Sequence, residues 1–176
     1  MSMAAEIDRS VLLVDADVVQ PNLLRRLGVP PMPGLLDVLA DPTVELSQVI
    51  AVTNVPKLSI VSAGTPNPMA TELLASQSME RLLASLAEDH PDRIVIFDAP
   101  PLLLTNEAQV LAARVGQVVM VVEAGKTPRQ ALAQAFALLE ACPAVMPVLN
   151  KAEHSALPLG YGYGREAEQG RPQRSA

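Results

Sequence analysis

The chain has 176 residues, 49% of them hydrophobic and 18% charged, which excludes a disordered protein and fits one compact domain with a sizeable core. Only Phe97, Phe136, Tyr161 and Tyr163 are aromatic, so the core is aliphatic and a nucleic-acid face built on stacked rings has little to work with. A formal net charge of −6 likewise disfavours a phosphate backbone as partner. Cys142 stands alone, which rules out a disulfide framework or a multi-cysteine zinc site and fits a reducing compartment. No apolar run approaches the ~18 to 20 residues that span a bilayer, and Met1 to Ser10 lacks the parts of a signal peptide, so a soluble, cytoplasmic chain is expected.

In chain order, Val11 to Val14 reads as a buried strand, followed by helical patterns at Leu23 to Leu27, Leu35 to Leu39 and Leu46 to Ile50. Leu58 to Val61 is a second strand. Glu72 to Glu88 is a helix in which Leu82, Leu83 and Leu86 recur at helical spacing, and to Glu72 and the leucines after it no chemistry is assigned. Ile94 to Phe97 is a third strand, Glu107 to Val115 a helix and Val118 to Val122 a fourth strand. Thr127 and Pro128 predict a helix start, with the threonine hydroxyl as cap and the proline in the first helical position, for a helix running to Ala141. Val145 to Leu149 is a weaker fifth strand, against which Pro147 stands as a local objection. Strand and helix alternate, which predicts an α/β domain over Met1 to Leu157 with a mostly parallel sheet flanked by helices. From Pro158 to Ala176 a Gly-Tyr-rich, apolar-poor tail is expected to be disordered.

Two segments carry candidate chemistry. Val11-Leu-Leu-Val-Asp15-Ala-Asp17 delivers two carboxylates at the carboxyl end of a strand, where open α/β sheets bind ligands. Ile94-Val-Ile-Phe-Asp98-Ala-Pro-Pro101 repeats that geometry. Together they place hard oxygen ligands near one point, which suits Mg²⁺ held with nucleotide phosphates. The alternative for each aspartate is a turn former or helix cap.

These segments, with Thr65-Pro-Asn-Pro-Met-Ala-Thr-Glu-Leu-Leu-Ala-Ser76, Val115 to Gly125, Val148-Leu-Asn-Lys151 and Gly160-Tyr-Gly-Tyr-Gly164, resemble the bacterial tyrosine autokinases. Those are ATPases of the deviant-Walker class that control exopolysaccharide chain length and export. The wording is closest to the branch associated with exosortase-linked polysaccharide loci. Val11 to Pro21 looks like the family's second Walker A-type motif and Ile94 to Pro101 like its Walker B strand. The resemblance implies a P-loop NTPase-like fold, with Mg²⁺ and ATP as cofactors. Asp15 and Asp17 would hold the metal and assist deprotonation of the acceptor hydroxyl, and Asp98 would bind the metal through water. Asn150 would face the nucleotide base, or alternatively serve as a strand-end turn residue. Tyr161 and Tyr163 would be phosphoacceptors, modified in trans within a homo-oligomer, or else part of a tail with no role. The implied partner is the cytoplasmic side of a membrane polysaccharide co-polymerase or export protein.

Two departures from the family pattern stand out. Val19-Gln20-Pro21 lacks the arginine that the family places before proline. No Gly-x-x-x-x-Gly-Lys-[Ser/Thr] phosphate loop is present, because no two of the nine glycines stand five positions apart; Gly125-Lys126-Thr127 has Met120 where the first glycine belongs. The resemblance therefore implies a chain that starts just downstream of that loop. Without the strand leading into it, the isolated chain is expected to be incompetent as a kinase and to be aggregation-prone or partly molten. A partition or septum-site ATPase and a non-catalytic interaction module remain as alternatives.

Overall fold

A computed structural model describes residues 3–5, 9–88 and 90–152. The tail beyond residue 157, with Tyr161 and Tyr163, lies outside the described residues. After a single 3-10 turn at Met3–Ala5, the chain forms strand β1 (Ser10–Asp15), helices α1 (Leu23–Leu27), α2 (Leu35–Ala40) and α3 (Leu46–Val49), and strands β2 (Ile50–Val52) and β3 (Leu58–Val61). Helices α4 (Ala70–Ala75) and α5 (Gln77–Glu88) precede β4 (Arg93–Asp98), α6 (Asn106–Ala112), β5 (Val118–Glu123), α7 (Arg129–Leu138) and β6 (Val145–Asn150).

The larger sheet has the order β2-β3-β1-β4, with β1 parallel to both β3 and β4. Its interior strand β1 is apolar from Val11 to Val14, as burial on two faces requires. Leu12 and Val14 share one face with Val61, and there Leu35, Leu36 and Leu39 of α2, Leu74 of α4, Met79, Leu82 and Leu86 of α5 and Leu111 of α6 close the core. Leu12, Leu35, Leu36, Leu74 and Met79 are at most 1% exposed. Each such side chain contributes roughly 1.5–3 kcal/mol by leaving water.

Three local readings are corrected. Ile50 is not the end of a helix: it opens β2, which pairs antiparallel with β3 in the register Ile50↔Val61. The single helix expected over Glu72 to Glu88 is two, because Ser76 takes an extended conformation (ψ 165°) and its hydroxyl donates to the Leu73 carbonyl at 2.7 Å. Thr127 does not cap α7; Pro128 holds the cap position with ψ 146°, and the Thr127 hydroxyl instead accepts the Glu123 amide at 3.1 Å.

The weaker fifth strand is present and forms a separate two-stranded parallel sheet with β5. The amides of Val118 and Ala124 donate to Ala144 and Asn150, so even-numbered residues carry this ladder and the odd ones face away from it. Pro147 is odd-numbered, and its missing N–H therefore costs no ladder bond. By the same alternation the backbone groups of Val119 and Val121 on β5, and of Val95 and Phe97 on β4, face edges that no other described strand pairs. Val119, Val121, Met146 and Val148 share one face of the small sheet and are all exposed.

Candidate functional site

β1 and β4 run side by side and end together. Asp15 and Asp98 are register partners, and the Ala16 amide donates to the Asp98 carbonyl at 2.8 Å. The two carboxylates that the sequence points to are thus brought to one end of the sheet, with Asp17 two residues beyond.

Their environments differ. Asp15 is 2% exposed and its carboxylate organises the loop that follows: Oδ1 accepts the Asp17 amide at 3.2 Å and Oδ2 the Leu23 amide at 3.0 Å. Burial pushes the Asp15 carboxyl above the ordinary aspartate range; the amides of Leu23, Asp17 and Asn22 pull it back, and the like charge of Asp98 adds to the rise. Asp17 is half-buried and accepts the Gln20 amide at 2.9 Å, whereas Asp98 is exposed.

Beside Asp15 lies a cavity of about 350 Å³. Leu24, Val29 and Met32 supply apolar wall on one side, and Ser62, Ala63 and Gly64, just past β3, form the other. The lining is mainly apolar, with Asp15, Ser62 and Arg25 as its polar members, the Arg25 guanidinium being held by Asn22 Oδ1 at 2.6 and 2.9 Å. Such a pocket suits a ring that carries a polar group. Composition gave no hint of this pocket. Its walls come from the proline-rich stretch around Pro31, which reads in sequence as mere punctuation, and from a strand end with no charged residue.

Asn150 ends β6, in the small sheet and not in the one that carries the aspartates, and is the register partner of Glu123. Its Oδ1 accepts the Lys151 amide at 2.9 Å. Glu123 Oε1 lies 2.9 Å from Lys126 Nζ and 3.0 Å from Lys151 Nζ, and these two ammonium groups hold its carboxyl below the usual range.

The donor chemistry of Asp15 and Asp98 fits a divalent cation that shares its shell with water or phosphate oxygens. Among the described residues no group of three or more His, Cys, Asp or Glu could enclose a metal by itself. A triphosphate fits less well, since the sequence has no glycine-rich loop ending in lysine to cradle it.

The fold and the paired strand-end carboxylates define the chain as an α/β protein of the P-loop NTPase-like kind. The chain aligns with the kinase domain of the Escherichia coli tyrosine kinase ETK at a TM-score of 0.74 and 28% identity, over 90% of this chain and 62% of that one. Cobyrinic acid a,c-diamide synthase from Mycobacterium smegmatis, solved with an ATP analogue and magnesium, shares the fold at a TM-score of 0.64, with 23% identity over 80% of this chain and 60% of its own. In sequence the chain is 30% identical over 164 residues to the tyrosine-protein kinase YwqD of Bacillus subtilis, across 90% of this chain and 66% of that protein. No family model matches. By sequence and by fold the chain belongs to the bacterial tyrosine autokinase family. It spans just under two thirds of the Bacillus relative and only 18 to 21% of two longer ones. No described helix is long and apolar enough to cross a membrane.

Proposed function

We propose that the chain is the α/β domain of a protein-tyrosine autokinase that regulates exopolysaccharide synthesis and export, in the exosortase-associated branch, and that these 176 residues alone do not transfer phosphate. The observation that carries the reading is the register of Asp15 with Asp98 at the ends of adjacent parallel strands. Mg-ATP would supply the phosphoryl group. Asp15 and Asp98 would hold the metal, Asp15 and Asp17 would assist loss of the acceptor's hydroxyl proton, and Asn150 would face the base. The cavity beside Asp15 would receive the acceptor ring, brought by Tyr161 or Tyr163 of a neighbouring copy. The domain would work at the inner face of the cell membrane, held there by a polysaccharide co-polymerase or export protein.

The test is to join an upstream segment carrying a Gly-x-x-x-x-Gly-Lys-[Ser/Thr] loop and follow Mg-dependent phosphate incorporation by mass spectrometry. Incorporation is expected, and it should vanish in the Tyr161→Phe, Tyr163→Phe double variant. Unchanged incorporation in that variant places the acceptors elsewhere. A second reading, a non-catalytic module that docks on an export protein, is favoured by the lack of a phosphate loop in the sequence. It would prevail if the extended chain binds such a protein but incorporates no phosphate.

A further inference from the structure

Asp37 is not among the carboxylates considered so far, yet like Asp15 it accepts two backbone amides. Its Oδ2 accepts the Gly34 amide at 2.8 Å and the Thr65 amide at 3.0 Å, joining two segments 28 residues apart. Ser62 works in the same seam: its hydroxyl donates to the Met32 carbonyl at 3.0 Å and accepts the Gly64 amide at 3.1 Å. The first amides of α2 complete the join, Leu35 donating to the Ser62 carbonyl at 2.8 Å and Leu36 to the Ala63 carbonyl at 3.0 Å. There is no slack, since a Cβ on Gly34 would lie 2.1 Å from the Ser62 oxygen. Gly64 has φ +87°, and a Cβ there would lie 2.3 Å from Asp37 Oδ2.

We infer that Asp37 is a positioning residue for the Asp15 site: its carboxylate fastens the Ser62–Thr65 turn to the start of α2 and thereby fixes the wall of the cavity beside Asp15. Asp37 does not line that cavity, whereas Met32, Ser62, Ala63 and Gly64 do, so it acts through the residues it ties down. Burial alone would raise its carboxyl, but the Gly34 amide and the Thr65 hydroxyl and amide outweigh burial and hold it below the ordinary range. The carboxylate is therefore ionised, and at full strength as an acceptor, at neutral pH. The inference rests on reading the cavity as part of the acceptor site, and its test separates the two.

Asp37→Ala and Asp37→Asn are compared with the parent in the full 176-residue chain. Amide exchange is followed at Gly34 and Thr65 and, for the core, at Val14 and Val61. The Met32 methyl resonance reports the cavity wall, and p-cresol is titrated as a stand-in for a tyrosine side chain. Asp37→Ala is expected to speed exchange at Gly34 and Thr65 by about 100-fold more than at Val14 and Val61, to shift or broaden Met32, and to weaken p-cresol binding about tenfold. Asp37→Asn keeps an oxygen that can accept both amides and should restore all three signals. Exchange that rises by one common factor everywhere, or a Met32 signal that does not move, would show Asp37 to be a stability residue only and overturn the inference. If the parent takes up no p-cresol while exchange and Met32 respond as stated, the clamp stands and the acceptor reading of the cavity falls.

Discussion

Asp15 and Asp98 leave neighbouring parallel strands at the same level, one 2% exposed and the other open to solvent. Burial raises the Asp15 pKa and the Asp98 charge adds to it, so Asp98→Asn is expected to lower the Asp15 pKa while leaving most of the rise in place. Carboxyl NMR titration measures this. Because the folded value lies above the unfolded one, ionised Asp15 opposes folding at neutral pH; stability is regained as pH falls through the raised value. An Asp15 pKa unmoved by Asp98→Asn would show that the exposed charge is screened from the buried one.

Asp37 has the opposite sign. Its folded pKa lies below the ordinary aspartate value of 3.8, so its contribution is present above that value and is lost as pH falls below it, through the lowered folded pKa. Asp37→Asn should therefore flatten the acid limb of a stability profile, read by chemical denaturation between about pH 2 and pH 5.

The site holds carboxylates for a metal but lacks a loop of amides and a lysine for phosphates. Calorimetric titration of the 176-residue chain with Mg-ATP is expected to give weak binding or none. Micromolar affinity would require a phosphate site that the sequence does not declare.

Gly34→Ala forces a methyl group to within 2.1 Å of the Ser62 carbonyl oxygen, a backbone atom that two hydrogen-bonded segments hold in place. A loss of roughly 3 kcal/mol is expected, at the upper end of overpacking costs. For a chain of this size each kcal/mol lowers Tm by about 2–4 °C. An unchanged Tm would mean that the seam between α2 and the β3 end yields easily.

Open strand edges with apolar flanks promote pairing between chains. Val121 is 65% exposed and its backbone faces the free side of β5. Val121→Lys should reduce self-association in sedimentation velocity while changing stability by less than about 0.5 kcal/mol. Equal association in the variant would place the contact elsewhere.

The strands were legible because their signal is local. Val11 to Val14, Leu58 to Val61 and Ile94 to Phe97 are apolar runs ending in small or polar residues; the first two form interior strands, and the third keeps the same pattern at the sheet edge, where none of its residues is fully buried. β2 was not legible: Val49-Ile50-Ala51-Val52 has no helical or alternating period, and only its pairing with β3 makes Ile50–Val52 extended. The site divides similarly. Asp15, Asp17 and Asp98 follow strands directly and can be found from the chain itself, whereas the Asp37 clamp depends on Thr65, 28 residues away. One local trace existed, an acidic residue three positions after Gly34 that reaches back to its amide, but nothing nearby in sequence indicates what that contact holds.

All four strands of the larger sheet lie before residue 99, and the last fully buried member of the main core is Leu111. None of the described residues from Val118 onward joins that cluster. As a growing chain leaves the ribosome at about 5–20 residues per second, the main core can therefore close while the β5–α7–β6 unit is still being made. The carboxylate pair thus sits wholly within the part of the chain that is made first, and the small sheet contributes no residue to it.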